Sequence, residues 1–181
     1  MAKKLTFTVV IAGAMLGGWS AAEAPAATLV RSNTAQPLIA AAGDLFVPGA
    51  KTLTRVGTAF SPYTGSITLS YHARTSAAGS ATITMQATSD FTGTHPSVGA
   101  GDLTYNCGPA DLGTACSGTQ TASTTTSQAV VSIPPSSCTG GGGGCSSAVP
   151  NSMIINFWLA NSPAAQTGTY TSNIVFTISA N

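Results

Sequence analysis

Charge is the scarcest property of this chain. Charged side chains make up 6% of its 181 residues, where an average soluble protein has about 25%. After residue 26 the ionised groups are Arg31, Lys51, Arg55 and Arg74 against Asp44, Asp90, Asp102 and Asp111, so that part is neutral. None follows Asp111. No basic patch exists to neutralise several phosphates, which excludes an ordinary nucleic-acid binder. A hydrophobic fraction of 43% also excludes the polar, highly charged composition of disordered chains.

Catalytic groups are equally sparse. Past Glu23 there is no glutamate, and His72 and His95 are the only imidazoles. No G-x-S-x-G elbow appears, and no lysine follows Gly140–Gly144 to make it a phosphate cradle. Most hydrolytic mechanisms need a base or metal ligands gathered together, so the expectation is a non-enzyme without cofactor. His72 reads as an outward strand residue and His95 as a loop residue. Asp90 and Asp102 flank the His95 loop. A cluster of the three around one pocket would revive an enzymatic reading, and the two carboxylates with backbone carbonyls are the one conceivable calcium site. Asp44 and Asp111 read as turn formers.

A long helical period is also missing. The one extended apolar run is at the N-terminus, where Lys3-Lys4 precede Leu5–Gly18 and small residues crowd Ser20–Ala27. That is the layout of a secretory signal peptide. Ala24-Pro25-Ala26 places cleavage after Ala26, and Ala22-Glu23-Ala24 also fits. The run is shorter than the ~18–20 residues a membrane span needs, and no cysteine follows it for a lipid anchor. The expected organisation is a leader over 1–26 and one domain over 27–181. Its expected location is the cell exterior or surface, reached through the periplasm.

Cys107, Cys116, Cys138 and Cys145 all lie in that domain. An even number in an exported chain reads as two disulfides. Of three pairings, Cys107–Cys116 with Cys138–Cys145 is favoured, because each closes a short local loop worth roughly 2.5 kcal/mol in the chain-entropy account. The C-x8-C and C-x6-C spacings differ from zinc knuckles.

What is abundant is period-2 alternation. Ser66–His72 and Ala81–Thr88 alternate polar and apolar residues, as half-buried strands do. The short Arg74–Ser80 connection suggests a hairpin between them. Met153, Ile155, Phe157 and Leu159 define one face of a strand. Ile154 and Trp158 on its other face suggest cover on both sides. A last strand spans Asn173–Ser179. Weaker strands are expected at Thr28–Val30, Leu38–Ala40, Leu45–Val47, Leu53–Val56, Leu103–Tyr105 and Ala129–Ile133. Loops rich in Gly, Ser and Thr are expected over 106–128 and 134–150. Many short strands between turn residues indicate an all-β chain, an immunoglobulin-like antiparallel β-sandwich.

The segment Thr167-Gly168-Thr169-Tyr170-Thr171-Ser172-Asn173-Ile174-Val175-Phe176-Thr177-Ile178 resembles the last strand of bacterial secreted immunoglobulin-like domains, of the spore coat protein U-like and fimbrial type. The resemblance covers this strand and the leader. It implies a subunit of a surface polymer. Ala180 stands where chaperone–usher pilins carry an aromatic, and Thr28-Leu29-Val30-Arg31 lacks the clean alternation of their donor segment.

Two functions fit these features. One is a secreted structural or adhesive surface protein, a filament or coat subunit that associates with itself or with other surface proteins. A neutral chain lacks the net charge that keeps monomers apart. The alternative is a carbohydrate- or ligand-binding sandwich. Its aromatic candidates are Phe60, Tyr63, Tyr71, Phe91, Tyr105 and above all Trp158, the candidate ligand contact.

Overall fold

Alternating β-branched and small polar residues do form strands here, because such side chains suit a pleated, half-buried surface. The computed structural model describes residues 41–75, 78–138 and 150–181. Ten strands run in chain order: β1 (Ala42–Phe46), β2 (Thr54–Arg55), β3 (Tyr63–Arg74), β4 (Ala81–Ala87), β5 (Leu103–Ala110), β6 (Thr114–Ala115), β7 (Gln120–Thr121), β8 (Gln128–Ile133), β9 (Asn151–Leu159) and β10 (Ile174–Ala180). A 3-10 turn at Pro135–Cys138 follows β8. Among the described residues no helix is long and apolar enough to cross a membrane.

The strands form two antiparallel sheets. The larger has the order β1-β3-β9-β5-β7, with β2 on the early half of β3. The smaller has the order β10-β4-β8-β6. Both contribute to one core, so the fold is a β-sandwich. Leu69, Tyr71, Met153, Ile155 and Tyr105 point in from the larger sheet, and Ile83, Met85, Val130, Val131 and Ile133 from the smaller. Each such burial stabilises by ~1.5–3 kcal/mol.

From β3 onward the chain changes sheet at every connection. This corrects the expected hairpin. β3 and β4 are consecutive but lie in opposite sheets. β3 pairs over nine residues with β9, while β4 is held between β10 and β8. Alternation says which face of each strand is buried, and both arrangements satisfy it equally.

Three further expectations change. β9 is not covered on both sides: Ile154 is 47% exposed and Trp158 only half-buried. The stretch 106–128 is not all loop, since it holds the end of β5 and the short β6 and β7. Backbone pairing needs no apolar side chain, so these strands carry no pattern. Alternation also fails at Val130-Val131, both fully buried. A register shift opposite Ile83/Thr84 turns both inward. A second shift between Cys107 and Ala110 contains Pro109, which has no N–H to give to β9.

At one side of the sandwich β1 comes close to β10 without pairing with it. A Cβ on Gly43 would stand 2.8 Å from Ile178 Cγ1, so glycine permits this approach. The leader, the strands expected at Thr28–Val30 and Leu38–Ala40, and the Cys138–Cys145 bond lie outside the described residues.

Candidate functional site

The three groups with catalytic potential do gather in one loop. His95 Nδ1 donates to Asp102 Oδ2 at 3.1 Å. The same oxygen accepts from Ser97 N at 2.8 Å. Ser97 Oγ donates to Asp90 Oδ2 at 2.9 Å and accepts from Ala100 N at 3.1 Å. Asp90 also accepts from the N–H groups of Phe91, Val98 and Gly99. Burial pushes its carboxyl upward, but these bonds from Gly99, Val98, Ser97 and Phe91 outweigh that and hold it below the usual range. Both carboxylates are thus spent on shaping the loop. A neighbouring groove is lined by Val98–Gly101 and Thr121–Thr125, a lining without His95, Asp90 or Asp102. Among the described residues no three His, Cys, Asp or Glu side chains group as metal ligands.

A broader feature lies on the outer face of the larger sheet. Registered pairing lines up Thr54, Thr64, Trp158, Thr104 and Thr121 in one row across five strands. The next row holds Ser66, Asn156 and Asn106, where Asn156 Nδ2 donates to Asn106 Oδ1 at 3.0 Å. Thr68 pairs with Ile154, and Ser70 lies between Ser152 and Phe46. Phe46 is 68% exposed. Beside it an open groove of about 500 Å³ is lined by Phe46, Lys51, Ser66, Thr68 and Ser70 among others.

The outer face of the smaller sheet is also hydroxyl-bearing. Ser179, Thr82, Ser132 and Thr114 form a row across four strands. No strand of this sheet contains a charged residue. In the larger sheet the strand charges are Asp44, Arg55 and Arg74, on β1, β2 and the end of β3.

The other expected residues separate clearly. Cys107 and Cys116 are joined, and the bond ties β5 of one sheet to the segment following β6 of the other. Tyr71 and Tyr105 are core residues, 1% and 0% exposed, not ligand contacts. Phe91 packs edge-on against Tyr170 with ring centres 6.3 Å apart. Phe60 and Tyr63 are exposed near the β2–β3 loop. His72 is half-buried opposite Asp44. Asp111 is no simple turn former. It accepts from Ser152 N and Ser152 Oγ at 2.8 and 2.7 Å. Sequence reading missed Phe46 and the Ser66–Asn156–Asn106 row, since no local pattern joins β1, β3, β5 and β9.

Comparison with family models, curated proteins and solved structures finds no match to this chain.

Proposed function

We propose that this chain is an exported structural or adhesive protein of the cell surface that assembles through the free side of β10. The observation that carries this is the β10 edge of the smaller sheet, which pairs with no further strand among the described residues. Protein edges are normally blunted by charge, proline, bulges or shortness. In the larger sheet β1 carries Asp44, and β2 and β7 are two residues each. β10 has seven residues, no charge, no proline and an unbroken register with β4.

The backbone geometry suits pairing. Thr88 N donates to Asn173 O, and Asn181 N to Ser80 O. Antiparallel alternation then directs the N–H and C=O groups of Ile174, Phe176, Ile178 and Ala180 away from β4. Among the described residues no strand pairs with that side. A second chain's strand would satisfy those groups and cover the exposed Val175.

The rest of the proposal agrees with this. The Cys107–Cys116 bond suits an oxidising compartment, as does the leader. The sandwich is taken as immunoglobulin-like in type, supported by its two antiparallel sheets. The protein is read as a non-enzyme, since the Ser97 hydroxyl is bonded to Asp90 and both carboxylates are engaged by the loop.

Sedimentation of the exported protein over a hundredfold concentration range tests assembly. The wild type should gain mass with concentration, and Thr177→Lys, which places a charge on the edge, should stay monomeric. A wild type that is monomeric throughout overturns the proposal.

A further inference from the structure

We infer that the outer face of the larger sheet is a binding platform for an extended, uncharged polysaccharide chain. The inference rests on the juxtaposition of two aromatic side chains with rows of hydroxyl and amide groups that keep hydrogen-bonding capacity to spare.

Trp158 and Phe46 are the aromatic ends of the platform. The row of Trp158 is six residues along β3 from the row of Phe46, about 20 Å at strand spacing. Pyranose rings have apolar faces of C–H groups and an equator of hydroxyls. An aromatic ring offers the first a large, rigid apolar surface, and side-chain hydroxyls and amides answer the second. The length between the two rings fits several linked sugars, not one.

The polar groups between them are available. The hydroxyls of Ser66, Thr68, Ser70 and Thr104 make no hydrogen bond among the described residues. Asn156 gives its N–H to Asn106, which leaves the Asn156 carbonyl oxygen and the Asn106 amino group as a matched acceptor and donor. Thr68 and Ser70 line the open groove beside Phe46.

Charge selects the ligand class. Across the Thr64, Ser66 and Thr68 rows of β3, β9 and β5 no side chain is ionised. The nearest carboxylate, Asp111, borders the Ser70 row and is held by Ser152. Lys51, in the lining of the groove, is its one charged group. A polyanionic glycan would find little to pair with. A protein partner would favour a contiguous apolar centre, whereas Ile154 stands among hydroxyls and amides. The sheet favours an extended β-linked chain over a coiled one.

The experiment is retention of the full exported protein on cellulose and chitin powders in 1 M salt, with alginate beads as the charged comparison. Trp158→Ala, Phe46→Ala and Thr177→Lys are run beside the wild type. The wild type and Thr177→Lys should be retained on at least one neutral powder. Trp158→Ala and Phe46→Ala should each lose at least fivefold, at unchanged circular dichroism. Thr68→Val, which keeps size and removes one hydroxyl, should lose a smaller part. Retention on alginate alone, no retention on either powder, or retention equal in wild type and both aromatic variants would overturn the platform. Loss in Thr177→Lys but not in Trp158→Ala would mark self-association as the cause and overturn it too.

Discussion

The buried Tyr71 hydroxyl donates to Leu112 O at 2.6 Å and lies 3.4 Å from Leu112 N. Tyr71 belongs to β3, whereas Leu112 sits in the crossing from β5 to β6. One side chain therefore satisfies the backbone where the chain passes between sheets. Burial raises the Tyr71 hydroxyl pKa, the Leu112 bond opposes this, and Asp111 adds to the rise. Tyr71→Phe removes the donor and leaves a buried carbonyl without its partner. The expected loss is about 1–3 kcal/mol, read as a lower urea midpoint at unchanged slope.

The Cys107–Cys116 bond closes a loop of sequence separation 9. Replacing both cysteines by serine frees that loop in the unfolded chain. The stability loss expected is roughly 2.5 kcal/mol. Thermal unfolding of the double variant should match that of the wild type in a thiol reductant.

Gly113 lies in the same crossing with φ +90°, and a Cβ there would stand 2.6 Å from Ser132 O. Rigid backbone cannot yield as a side-chain tip does. Gly113→Ala should cost on the order of 1–3 kcal/mol in chemical denaturation. A cost near zero would show that the β5–β6 turn adapts.

Acid should weaken the fold through two carboxylates. Hydrogen bonds from the Ser152 side chain and then its N–H hold Asp111 below the usual range. Asp90 is held down by the loop donors described above, against burial. A folded value below the unfolded one means the ionised form favours the fold. That stability is complete above the unfolded carboxylate range near ~4 and is lost as pH falls through the folded values. Urea midpoints should be flat above pH ~5 and drop below pH ~4. Asp90→Asn with Asp111→Asn should lower the neutral midpoint and flatten the acid limb.

Much of the secondary structure was legible. The inward sets of β3, β4 and β9 follow from alternation, and β1, β2, β5 and β8 overlap strands expected from short apolar runs. Two-residue strands such as β6 and β7 were not, because their stability comes from backbone pairing. The inward turn of both Val130 and Val131 was equally hidden, since a register shift depends on the partner strand.

Trp158 shows the same division at the site. Its strand position alone told that it faces away from Phe157. That Thr64 and Thr104 flank it, and that Phe46 shares its face, required β3, β5, β9 and β1 to be registered against one another.

Local order in this sequence determined which residues of β3, β4 and β9 share a face, because successive side chains of an extended chain must point to opposite sides. The assignment of strands to sheets, the hydroxyl rows and the place of β10 at a sheet edge were decided only in three dimensions. Strand partners are chosen by the joint fit of distant segments around a shared core, and no stretch of chain records that fit by itself.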